Sequence, residues 1–71
     1  MIKTLVEEIR NLYEEEIKNG TEYEEWLIDL VKEGTPEEWM EYNEDCYEAE
    51  ITDLTFEEYL HEVIDEKLYI F

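Results

Sequence analysis

The 71-residue chain carries 23 Asp and Glu against five Lys and Arg, a formal net charge of −18 with a pI near 4.1. Direct binding to nucleic acid or to an anionic membrane is implausible at that charge, because every phosphate contact would be repulsive. The length allows a single domain, residues 1–71, and the 19 Leu, Ile, Val and Phe residues lie above the roughly 20% below which a highly charged chain is expected to stay unfolded.

The first predicted element is a helix. Ile2, Leu5, Val6, Ile9, Leu12, Tyr13 and Ile17 fall on one arc at 100° per residue, and Gly20 stands where a left-handed residue ends a helix. Thr21-Glu22-Tyr23-Glu24 has the spacing of a capping box, in which Thr21 and Glu24 would each satisfy an orphan amide. It precedes a second apolar stripe of Tyr23, Trp26, Leu27, Leu30 and Val31, closed by Gly34. A second box, Thr35-Pro36-Glu37-Glu38, places proline at the first helical position, where its missing N–H is harmless. A third, Thr55-Phe56-Glu57-Glu58, precedes the stripe of Phe56, Tyr59, Leu60, Val63 and Ile64. These elements predict a mainly α, single-domain four-helix bundle with Trp26 and Trp39 in its core.

Residues 44–54 admit two readings. Tyr47, Ala49 and Ile51 alternate with Glu48, Glu50 and Thr52 as in a strand, which Leu68–Phe71 would pair as a short extended C-terminal segment. As a continuation of the helix from Pro36, Trp39, Tyr42, Cys46 and Ala49 share an arc flanked by Met40 and Tyr47. Glu37, Glu38, Glu41, Glu44, Asp45 and Glu48 then gather within roughly 120° on the opposite side. The helical template explains more residues and is preferred to about Glu48.

Catalytic constellations are nearly absent, so no enzyme is expected. The chain has no serine, which removes a Ser-His-Asp nucleophile. Cys46, the sole cysteine, lies on an apolar arc, and carboxylates around it would disfavour the thiolate. Glu58-x-x-His61 has di-iron spacing, but such sites need two of these motifs and this chain holds one histidine. Asn43-Glu44-Asp45 lacks the glycine of an EF-hand loop. Neither a metal nor another cofactor is expected. The apolar runs fall far short of the ~20 residues of a membrane span, and the first residues lack the apolar core of a signal peptide. A cytoplasmic protein is the expectation.

The strongest signal is the distribution of charge. Between Glu33 and Glu66 stand 14 acids and no Lys or Arg, while Lys3, Arg10, Lys18, Lys32 and Lys67 lie toward the two ends. Like charges four apart, such as Glu37–Glu41 and Glu44–Glu48, cost a few tenths of a kcal/mol each. Crowded carboxylates are also expected to hold their protons more tightly. Solubility alone requires a net charge of only about 2–8, so the excess has a functional reason. A folded chain of this mass exposes about 4,800 Å², or about 265 Å² per net charge. B-DNA, with one charge per ~1.7 Å of axis, presents about 110 Å² per charge on a ~20 Å cylinder. Acids 33–66 gathered on half the protein would approach that density.

A very short, strongly acidic domain with interleaved Tyr and Trp resembles the phage-encoded DNA mimics: anti-CRISPR proteins, anti-restriction proteins and uracil-DNA glycosylase inhibitors. The likeness covers the whole chain and is carried by size, charge and aromatics. It implies stoichiometric inhibition in a host cytoplasm, through occupation of the DNA-binding groove of a basic nucleic-acid-binding enzyme such as Cas9 or a restriction enzyme. Glu37, Glu38, Glu41, Glu44, Asp45 and Glu48 would form the primary face, and Glu57, Glu58, Glu62 and Asp65 the secondary one. An acidic helical module that binds a basic partner without mimicry is the alternative.

Overall fold

The computed structural model describes residues 1–70, with Ile70 described by its backbone alone. Within them the chain forms four helices and no strand: α1 (Ile2–Lys18), α2 (Glu25–Glu33), α3 (Pro36–Glu50) and α4 (Phe56–Ile70). The radius of gyration is 11.8 Å, close to the ~11 Å of a compact chain of this length. The four-helix expectation therefore holds. The doubtful stretch is helical through Glu50, and residues 68–70 are helical as well. Phe71 lies outside the described residues.

α1 is the organising element. It packs most extensively against α4 and also touches α2 and α3. Val6 and Ile9 from its apolar arc meet Leu27 and Val31 of α2, Trp39 of α3, and Leu60 and Ile64 of α4 in one buried core. Trp39 is its centre: 1% exposed, with its indole N–H donating to the Val6 carbonyl at 2.8 Å. That bond removes the polar penalty of burying an indole. The ring stacks on Tyr42 and meets Tyr13 edge-on, at centroid distances of 5.2 and 5.5 Å. Asn43, also buried, donates to the Trp39 carbonyl one turn back.

The helix ends separate two kinds of punctuation. After α1, Gly20 adopts φ +95°, and the amides of Gly20 and Thr21 donate to the carbonyls of Ile17 and Glu16. This is a Schellman closure, which needs a residue tolerant of the left-handed region. Gly34 ends α2 for another reason. Its backbone is extended, but an added Cβ would stand 2.5 Å from the Leu30 carbonyl oxygen. The chain leaves α3 through Ile51, a left-handed residue at φ 50°, and the Tyr47 hydroxyl pins that turn by donating to the Leu54 carbonyl.

Two of the three expected capping boxes are formed. The Thr35 hydroxyl accepts from the Glu38 amide while the Glu38 carboxylate accepts from the Thr35 amide, at 3.1 and 3.0 Å. Thr55 and Glu58 make the same reciprocal pair at 3.2 and 2.9 Å. The Thr21–Glu24 box is not formed. α2 begins only at Glu25, with Glu24 as an extended N-cap that makes no side-chain cap bond. Thr21 is already committed to closing α1, and Tyr23 is drawn inward by a hydrogen bond to Glu16, so this segment cannot wind into a helical turn.

Trp26 also departs from the expected core. It sits about 100° from Leu27 and is 54% exposed, with its N–H on the Glu24 carboxylate and its ring edge-on to Tyr42. Trp26 is therefore at the rim, not in the core. Ala49, expected on the buried arc of α3, is exposed as well. The caps make a discriminating prediction. Thr35→Ala and Thr55→Ala should each cost about 1 kcal/mol, whereas Thr21→Ala should stay within about 0.5 kcal/mol of the parent, as at an ordinary surface site. Urea unfolding of the three variants measures this, and an equal loss at Thr21 would contradict the described start of α2.

Candidate functional site

Every acid of the expected primary face is exposed on α3: Glu37, Glu38, Glu41, Glu44, Asp45 and Glu48. The reason is Trp39. With the indole and Asn43 turned into the core, the positions about 140–260° around the helix from Trp39 point outward. Glu37, Glu41, Glu44 and Glu48 follow one another at rises of ~4.5–6 Å, a stripe about 16 Å long. Among the described residues none of these acids is paired with a base, because the ion pairs are Arg10 with Glu7 and Glu14, and Lys67 with Glu16.

Not all six acids are equally free. Glu38 is bound into its capping box, and the same is true of Glu58 on the secondary face. Both carboxyls sit below the ordinary glutamate range, chiefly because each accepts a hydrogen bond from the threonine backbone amide, with the threonine side chain adding to the effect. The shift is opposite to that expected from crowding. A lowered folded-state pKa stabilises above the ordinary value of 4.5 and is lost as pH falls through the folded value.

Glu57, Glu62 and Asp65 are exposed on α4. Glu62 lines a small polar depression with Glu50, Glu66 and Tyr59. Tyr59 is pushed up to about 12, by burial first and then by the nearby Cys46 and Glu50. Tyr42 and Tyr47 are half-buried in aromatic contacts, and Cys46 is half-buried too. His61 is exposed. No three His, Cys, Asp or Glu side chains converge as metal ligands would, among the described residues.

Two features escape a reading by charge alone. First, α1 contributes Glu7 and Glu8 to the same acidic surface, facing Glu37, Glu41 and Glu44 across a groove of about 930 Å³. Second, Glu16 and Lys67, 51 residues apart, form a buried pair at 2.8 Å. The Tyr23 hydroxyl donates to the same Glu16 oxygen at 2.7 Å, and the Lys67 ammonium lies 3.7 Å from the centre of the Tyr13 ring. Burial works against the charged lysine, but the hydrogen bond to Glu16 and the neighbouring tyrosines hold it above its usual range. The available signal is that both residues fall on apolar arcs. Glu16 lies seven after Ile9, and Lys67 seven after Leu60.

An alkaline transition follows. Burial raises the hydroxyls of Tyr23 and Tyr42, and Tyr59 is raised likewise; Lys67 also holds its proton above the usual lysine value. The folded state therefore binds more protons than the unfolded chain above the ordinary tyrosine value of 10.0. Stability should be complete below that pH and decline as pH rises toward 12. Tyrosinate absorbance and helical circular dichroism should change together. Ionisation of Tyr23, Tyr42 and Tyr59 near pH 10 with helix content intact would contradict their burial.

No helix among the described residues is long and apolar enough to cross a membrane. No protein-family model matches the chain, and no curated protein and no solved structure is significantly similar to it.

Proposed function

We propose that this chain is a DNA-mimic inhibitor. Its carboxylates would occupy the DNA-binding groove of a nucleic-acid-binding defence enzyme, with a CRISPR-Cas effector such as Cas9 as the leading candidate and a restriction enzyme or DNA glycosylase as the others. The observation that supports this best is the base-free stripe of Glu37, Glu41, Glu44 and Glu48, exposed along α3 and unneutralised among the described residues. Its spacing suits a surface built to grip a row of phosphates. The total surface of 5,195 Å² leaves about 290 Å² per net charge. That is sparser than the ~110 Å² of duplex DNA, so mimicry depends on local concentration of the acids, for which the base-free stripe of α3 is the support.

The partner is a basic protein, met without cofactor and without chemistry. Its lysines and arginines would exchange phosphate for carboxylate, so association should be fast at low salt and weaken steeply as salt rises. The test is competition. A candidate enzyme is incubated with this chain, and its binding to a duplex target is measured over a salt series. Displacement of DNA in proportion to added chain supports mimicry. A ternary complex that retains DNA at undiminished affinity overturns it and leaves an acidic interaction module that meets its partner elsewhere.

A further inference from the structure

We infer that the groove between α1 and α3 is a docking site for an amphipathic basic helix of a partner protein. The inference rests on the proposed reading only in taking the partner to be basic; it does not require that partner to bind DNA. A mimic working through charge alone would be convex and polar. This groove is concave and chiefly apolar, with Met40, Pro36 and a side of Val6 among its lining.

Its dimensions select an occupant. One wall runs from Lys3 to Asn11 and the other from Pro36 to Glu44, each about 12 Å along its helix at ~1.5 Å per residue. Apolar anchors at i, i+3, i+4 and i+7 of a docked helix span ~10.5 Å and fit that length. The volume of about 930 Å³ is far more than a single side chain fills. Met40 on the floor adds an unbranched, polarisable surface that adapts to different apolar partners.

Charge complementarity selects the flanks of that helix. Glu7 and Glu8 stand on one rim, and Glu37, Glu41 and Glu44 on the other, against a single Lys3. Glu7 shares its charge with Arg10 at 3.2 Å, but the α3 rim has no such neighbour among the described residues. An apolar ridge bordered by Lys or Arg on both sides satisfies both rims at once. A second copy of this chain is repelled by its own 23 acids.

The probe is a peptide of about 14 residues, with Leu at i, i+3, i+4, i+7 and i+11 and Lys elsewhere, titrated calorimetrically at ~0.15 M salt. A scrambled peptide of identical charge is the control. The helical pattern should bind one-to-one and about tenfold more tightly than the scramble, the effect of one well-buried apolar side chain. Thr4→Trp, at an exposed position on the groove wall, should fill the groove and weaken the peptide about tenfold with an unchanged melting temperature. Met40→Gln should weaken it severalfold, again with the fold intact by circular dichroism.

Equal binding of both peptides, or affinity indifferent to Thr4→Trp, would overturn the docking site. So would stoichiometric binding of a small aromatic ammonium ion that excludes the peptide. The two readings fail separately. Peptide docking without DNA competition removes the mimic and keeps the groove. DNA competition with no preference between peptides removes the groove and keeps the mimic.

Discussion

Removal of either member of the Glu16–Lys67 pair should bring the protein close to global unfolding. Breaking one side of a buried ion pair leaves an uncompensated charge at a cost of about 3–5 kcal/mol. The whole stability of a domain this size is on the order of 4–10 kcal/mol, so one substitution removes a large share. Lys67→Met strands the Glu16 carboxylate, 3% exposed, with only the Tyr23 hydroxyl to partner it. Glu16→Gln keeps the shape and some hydrogen bonding but leaves the lysine ammonium unneutralised beside Tyr13 and Tyr23. At about 4–8 °C per kcal/mol for a small domain, each variant should lose on the order of 15–30 °C in melting temperature.

The double variant Glu16→Leu with Lys67→Met separates stability from specificity. Replacing a buried pair by apolar residues of similar volume is often neutral or stabilising, so the double should recover most of what either single loses. Urea unfolding of the parent, Glu16→Leu, Lys67→Met and the double variant closes the cycle. A coupling energy near zero, or single variants within about 1 kcal/mol of the parent, would show that water reaches the pair and that the described burial is wrong. Tyr23 complicates the recovery, because its hydroxyl loses its acceptor in the double variant. Tyr23→Phe in that background should restore the remainder.

The second large effect concerns binding. Converting Glu37, Glu41, Glu44 and Glu48 to Gln preserves side-chain length and helix propensity while removing four charges. Repulsion at 37–41 and 44–48 is relieved by a few tenths of a kcal/mol each. Glu37 offsets part of that gain, since an acid in the first turn of α3 favours the helix dipole. The net change in stability is therefore small. Affinity for the basic partner should nonetheless fall on the order of a hundredfold, at about 0.2–1 kcal/mol for each exposed charge contact. The salt dependence of binding should become visibly shallower. Unchanged affinity and unchanged salt dependence in a folded variant would sink the mimic reading. Glu38 and Glu58 are left out of the variant because their carboxylates close capping boxes, and their loss would confound binding with helix stability.

What was legible in the sequence was local. Helix formation depends on bonds four residues apart and on the arc an apolar side chain falls upon, so α1, α3, α4 and the boxes at Thr35 and Thr55 could be read directly. The outward stripe of α3 followed from the same arithmetic, once Trp39 was assigned to the core. The Thr21 box misled because its spacing carries no record of competing bonds. Only the folded chain shows Thr21 closing α1 and Tyr23 reaching Glu16, and with that the late start of α2; the exposure of Trp26 follows from which arc of α2 meets the core. Glu16 and Lys67 each fall on an apolar arc, seven residues after Ile9 and Leu60, yet nothing in the spacing joins two residues 51 apart. Their meeting depends on how the end of α4 lies against the end of α1. The groove is likewise a property of two helices together, since Glu7 and Glu8 join Glu37, Glu41 and Glu44 only because Trp39 docks on the Val6 carbonyl and brings α3 beside α1. Periodicity specifies which face of each helix is buried; the shapes of the buried side chains decide which faces meet.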